Sequence, residues 1–142
     1  MVPSRSRAVQ RANQKDVVYL RMAAQLATLA TCSRLTVGCV LTDINREQVW
    51  AGYNGDHRGG YNRCASEVPG SCGCLHAEDN AVLKAPHDVQ KRAYVTHAPC
   101  RQCASRLIQS RVQSVYYVHG YRVEDGLDLL RDRRVSVQQL AI

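Results

Sequence analysis

Phenylalanine is absent from this chain, and tryptophan occurs once, as Trp50. Proteins that grip single-stranded nucleic acid rely on aromatic platforms for base stacking, and here the tyrosines lie mostly in strand-like runs. Also missing is any apolar stretch near the roughly 20 residues that a membrane-spanning helix needs, even in the helical run from Val17 to Ala30. The arginines near the N-terminus are followed by no apolar block of the kind a secretory signal carries. The expectation is a soluble, cytoplasmic protein. Acidic residues are scarce beside basic ones, 12 against 19, which leaves a net charge of +7. That excess points to an anionic partner, either a nucleotide or a nucleic acid. Part of it sits in residues 1–15, where Arg5, Arg7, Arg11 and Lys15 lie among Ser, Gln and Asn. This segment reads as a basic, flexible, solvated tail, with contact to nucleic acid as the alternative. The remainder, residues 16–142, is the length of one compact domain.

Cysteine is not scarce: there are seven in 142 residues. A disulfide framework would require an oxidising compartment, and the spacings are not those of one. Cys72 and Cys74 flank a single residue, Cys100 and Cys103 flank two, and His76 lies beside the first pair. Such spacings are typical of metal ligands.

The apolar pattern predicts a helix over Asp16 to Ala30, with Val17, Leu20, Ala24 and Ala27 on one face. Val37–Leu41 and Gln48–Ala51 read as a hairpin joined by polar turn formers. Gly52–Gly73 is a long loop rich in Gly, Asn and Ser, and long loops within compact domains are usually functional. His76–Ala85 reads as a helix ended by Pro86, Arg92–His97 as a strand, and Pro99 as the first turn of a helix reaching about Ser110. Val115–Val118 is a buried-looking strand, Gly126–Arg133 a helix and Val135–Val137 a weak last strand. Alternating strands and helices indicate an α/β layered domain around a mixed sheet.

The chemistry is concentrated in His76-Ala77-Glu78 and Pro99-Cys100-Arg101-Gln102-Cys103. A catalytic zinc takes three protein ligands and leaves one position for water, and His76, Cys100 and Cys103 supply three. One helix, one strand and two turns fit between them, so the two motifs can meet at neighbouring helix starts. A helix start favours thiolate at Cys100, and zinc brings the pKa of its water to near 7. Two residues past His76, Glu78 points in a different direction and suits the role of general acid and base. Each half of the pattern has other readings, a thioredoxin-like redox pair or a purely structural zinc site. The order H-A-E, strand, P-C-x-x-C is the more specific signature of zinc deaminases.

On these residues the chain resembles the deoxycytidylate deaminases of the cytidine deaminase-like superfamily. Further matches are Thr36-Val37-Gly38-Cys39-Val40, Gly52-Tyr53-Asn54-Gly55 with Gly59-Gly60 and Cys64, His76-Ala77-Glu78-Asp79-Asn80-Ala81, Tyr94-Val95-Thr96-His97-Ala98-Pro99-Cys100, and Val115-Tyr116-Tyr117 with Tyr121-Arg122. The resemblance implies a three-layer α/β/α domain with a five-stranded mixed sheet, a homo-oligomer such as a hexamer, and zinc-dependent hydrolysis of dCMP to dUMP in pyrimidine nucleotide metabolism. It makes Asn54 the ligand of the sugar hydroxyl and Ala77 a further substrate contact, with Arg34, Tyr121 and Arg122 as candidates for the 5′-phosphate. It also brings dCTP and dTTP as effectors near the substrate loop, although Asp56-His57-Arg58 stands where the family often has proline. Some relatives hold a second, structural zinc, for which Cys32, Cys64, Cys72 and Cys74 are the counterparts here. The alternative is that these are small buried hydrophobes, and Cys39, among Val37, Val40 and Leu41, reads as core. Two other functions stay open: a deaminase acting on cytosine or adenine in single-stranded nucleic acid or tRNA, and a non-catalytic zinc-binding module.

Overall fold

Consecutive residues of the central strands are buried, so the sheet must be covered on both faces. In strand β1 (Gly38–Asp43), Cys39 and Leu41 enter one apolar cluster and Val40 the other. Strand β3 (Lys91–His97) divides Ala93 and Val95 from Tyr94 in the same way, and β4 (Val112–His119) divides Val115 and Tyr117 from Tyr116. The period of two along each strand thus builds two cores at once. Helix α1 (Ser4–Ala27) covers the smaller cluster through Leu20 and Ala23. Helices α2 (Ala77–Val82), α3 (Arg101–Gln109) and α4 (Asp125–Asp132) cover the larger one, through residues that include Ala81, Leu107 and Leu130.

The structure is a computed structural model and describes residues 4–62, 64 and 73–142. Strands β2 (Val49–Tyr53) and β5 (Ser136–Gln139) complete a five-stranded sheet in the order β2-β1-β3-β4-β5. β1 runs antiparallel to β2 and β3, whereas β3, β4 and β5 are parallel. This is the expected three-layer α/β/α arrangement around a mixed sheet. Among the described residues no helix is long and apolar enough to cross a membrane.

The main departure from expectation is the start of α1, which lies at Ser4 rather than Asp16. Ala8, Gln10, Arg11, Ala12, Gln14 and Lys15 are good helix formers, and a helix already nucleated against the sheet extends backwards at little cost. Strand ends also lie beyond those expected. β2 continues to Tyr53 because its register pairs that residue with Gly38, and β4 gains residues at both ends because it has a partner on each edge.

A buried polar network joins α1 to the sheet. Asp16, 4% exposed, accepts hydrogen bonds from Arg46 Nε (2.7 Å) and Nη2 (3.3 Å) and from the Tyr94 hydroxyl. The Tyr116 hydroxyl lies within hydrogen-bond reach of the guanidinium groups of Arg46 and Arg92. Removing one member of a buried pair strands the other charge. Asp16→Ala is therefore expected to lower folding stability by about 3–5 kcal/mol. Urea unfolding of the variant beside the parent measures this, and a loss below about 1 kcal/mol would refute the assignment.

Candidate active site

His76 immediately precedes α2, and Cys100 caps the N-terminus of α3, its sulfur accepting the Cys103 N–H at 3.5 Å. Two glycines allow these helix starts to sit where they do. A Cβ on Gly52 of β2 would lie 2.6 Å from both Ala77 O and Ala81 N, so only glycine lets α2 lie this close to the sheet. A Cβ on Gly126 would lie 2.1 Å from Pro99 O, so α4 can press directly on the backbone that presents Cys100. Both contacts are with backbone, which no side-chain rearrangement can relieve.

The result is a triangle of donor atoms. His76 Nδ1 lies 3.2 Å from Cys103 Sγ and 3.7 Å from Cys100 Sγ, and the three donors all fall within 4.8 Å of one another. Zinc bonds of about 2.3 Å to sulfur and 2.0–2.1 Å to nitrogen, at a tetrahedral angle, place N and S about 3.5 Å apart. The two measured separations bracket that value, so one zinc ion fits the donor set.

The electrostatics agree with this fit. Hydrogen bonding from Cys103, with the His76 imidazole beside it, pushes the Cys100 thiol down to about 3, while burial opposes the shift. The same contact with Cys100, reinforced by burial, holds the Cys103 proton on. The two sulfurs thus share one proton, and Cys100 carries the charge. His76 is raised, chiefly by its hydrogen bond to Cys100. An anionic sulfur beside an imidazole is a donor pair that suits a divalent cation, whose binding displaces protons from such ligands.

Glu78 is 4% exposed, and its carboxyl is pushed up to about 7, first by burial and further by the charge of Cys100. A carboxyl poised near neutrality takes up and returns a proton readily. Together with His76, Ala77 and Cys100, it lines a cleft whose empty space, counted out to its open mouth, is about 550 Å³.

Arg34, Asn54, Ala77 and Tyr121 all line this cleft, as the sequence led one to expect, and Arg122 is exposed and does not. Among the described residues the buried Arg34 Nε has no hydrogen-bond partner, which leaves it available to an acceptor on a ligand. The Asn54 side chain is already engaged: Oδ1 accepts from Val37 N (2.7 Å) and Nδ2 donates to Leu35 O (2.6 Å). An amide has two N–H groups and two lone pairs, so half its capacity remains for a ligand. His97 was not singled out from the sequence. It lines the cleft from the C-terminal end of β3, its Nδ1 3.0 Å from Thr96 Oγ1 and its ring 4.8 Å from that of His119. Its place at the carboxyl end of a strand with a parallel neighbour was the available clue.

A second sulfur cluster borders the cleft. Cys32, Cys64 and Cys74 lie within 4.8 Å of one another, with Cys32 Sγ and Cys64 Sγ at 3.6 Å. Two thiolates on one tetrahedral zinc stand about 3.8 Å apart, so this donor set fits a metal as well. Hydrogen bonds from Ser33 push Cys64 down to about 6. Cys72, the fourth expected member, lies outside the described residues. Cys39 is fully buried in the larger core, and burial pushes its thiol up.

Comparison with known proteins agrees with the geometry. The family described as cytidine and deoxycytidylate deaminase zinc-binding region matches residues 13–119. The chain is 33% identical over 135 residues to ComE operon protein 2 of Bacillus subtilis, covering 87% of this chain and 70% of that protein. It is 32% identical over 140 residues to a deoxycytidylate deaminase of Saccharomyces cerevisiae, covering 89% of this chain. The chain spans only 45% of that yeast relative's length. The structure of a dCMP deaminase from the cyanophage S-TIM5, in complex with dCMP and dUMP, superimposes with a TM-score of 0.76 at 27% identity, over 99% of both chains. The relatives match the chain in sequence and in fold, and the chain belongs to the cytidine and deoxycytidylate deaminase zinc-binding family.

Proposed function

We propose that this chain hydrolyses the exocyclic amine of dCMP, giving dUMP and ammonia, and that it acts in the cytoplasm, where its thiols stay reduced. The observation that carries the reading is Glu78, buried on the wall of the cleft that His76 and Cys100 also line, with the Cys103 sulfur within 4.8 Å of both donors. His76, Cys100 and Cys103 would hold a zinc ion, which would supply a bound water of lowered pKa. Glu78 takes a proton from the attacking water and passes it to the ring nitrogen next to the amine. It then carries the second proton to the departing nitrogen, so that the C–N bond breaks, ammonia leaves and a carbonyl remains. Asn54 and Ala77 hold the sugar and base, and Arg34 and Tyr121, which line the same cleft, face the 5′-phosphate. The S-TIM5 relative, whose structure contains dCMP and dUMP, supports this choice of substrate.

A panel of dCMP, deoxycytidine, dCTP and a cytosine-containing oligonucleotide, read by ammonia release, tests the substrate assignment. dCMP should be turned over most efficiently. Arg34→Ala should raise KM for dCMP about 10-fold or more, as expected for a lost charge-assisted hydrogen bond, and leave deoxycytidine unchanged. Turnover of the oligonucleotide with dCMP untouched would reassign the enzyme to nucleic acid. Zinc bound without turnover of any of these would make it a binding module. The same purified protein addresses the remaining expectations: a second zinc per chain at the Cys32, Cys64 and Cys74 cluster, a homo-oligomer such as a hexamer in sedimentation, and a response to dCTP and dTTP.

A further inference from the structure

Asp79 occupies the third position of α2, and its two carboxylate oxygens face different elements. Oδ2 accepts the backbone N–H of His76 at 3.0 Å, while Oδ1 pairs with Arg106 Nη1 at 3.1 Å. Arg106 is one turn beyond Cys103 on α3. One carboxylate therefore ties the backbone of the imidazole donor to the helix carrying a sulfur donor. Within the described residues this is the one ion pair that joins α2 to α3.

The partition of exposure matters here. The Asp79 side chain is 14% exposed and that of Arg106 48%. A guanidinium this open to water adds little to folding. Its geometric effect is larger, because a metal centre assembled from two short helices depends on their relative placement. Outer partners that orient metal ligands typically account for 10- to 100-fold in metal affinity. The Asp79–Arg106 bridge sits where such a partner would act.

We propose that Asp79 is a positioning residue, which through Arg106 fixes the histidine half of the metal centre against the cysteine half. The inference rests on the reading that His76, Cys100 and Cys103 hold the metal. Arg106→Gln is the sharper test, because it cuts the bridge and leaves the helix cap intact, whereas Asp79→Asn keeps an oxygen for the His76 N–H and loses the charge. Zinc release from the full chain to a chromogenic chelator is followed, counting only the phase that disappears in Cys103→Ser.

Arg106→Gln and Asp79→Asn should each accelerate that phase by about 10-fold or more. The double variant should be no faster than the faster single one, as two halves of one contact require. Arg106→Lys should restore most of the parent rate, thermal unfolding of the zinc-loaded proteins should stay close to the parent, and Arg131→Gln, which removes an exposed pair on α4, should change nothing. Unchanged release in Arg106→Gln, or fully additive acceleration in the double variant, would overturn the proposal. If Cys103→Ser removes no phase at all, the metal assignment itself fails, which is a separate outcome.

Discussion

Glu78→Gln should reduce turnover of dCMP by about 10²- to 10⁴-fold, the usual contribution of a positioned acid and base, with the zinc content of the chain unchanged. The expectation rests on two properties of one side chain. Glu78 is among the most buried acidic groups in the protein, and its carboxyl is held near neutrality by that burial. The amide of glutamine fills the same volume and cannot take up a proton. Nor does it carry a charge, so its burial costs less than that of a carboxylate. The variant should therefore unfold at the same temperature as the parent or slightly higher, in the direction expected when a group retained for activity is neutralised. Turnover, metal content and thermal unfolding on one preparation give the answer. Full activity would remove Glu78 from the mechanism. Lost activity accompanied by lost zinc would instead make it part of the metal's support.

The second large effect concerns the metal itself. Cys103 is fully buried and takes part in the triangle with His76 and Cys100. Replacing it with serine exchanges a soft thiolate ligand for a hydroxyl that keeps its proton. Since even outer partners of zinc ligands account for 10- to 100-fold in affinity, losing a direct ligand should weaken zinc binding by more than about 100-fold and take turnover with it. One equivalent of zinc per chain should be lost on dialysis against a chelator, and any zinc at the Cys32, Cys64 and Cys74 cluster should remain. Retention of every equivalent, with activity, would exclude Cys103 as a ligand. Loss of both sites together would mean that the two clusters, joined through the short segment from Cys74 to His76, are one cooperative unit.

The metal donors were legible in the sequence because the constraint that selects them is local. His76 and Glu78 are two residues apart, Cys100 and Cys103 three, and each pair lies at the start of a helix, although α2 already ends at Val82, short of Pro86, and Pro99 precedes the cap of α3 rather than lying in its first turn. The three-layer fold was legible for a related reason: burial on alternate faces is printed in strands such as Cys39-Val40-Leu41 and Ala93-Tyr94-Val95. The start of α1 was not, since residues 6–15 bury little and their helicity follows from the nucleus further along. His97 escaped for another reason. Its role as a cleft wall depends on the parallel pairing of β3 and β4, a contact between distant segments.

By itself the sequence determined which atoms can bind metal and which carboxyl stands near them, because ligand chemistry and helix punctuation are properties of a few neighbouring residues. Only the tertiary structure decided that His76 Nδ1 and two sulfurs lie close enough to share one ion, that Arg34 has a buried nitrogen without a partner, and that Asp79 reaches across to Arg106. Each of these depends on segments brought together by packing, and the helix starts that carry the donors are let in at Gly52 and Gly126, where a single methyl group would collide with backbone.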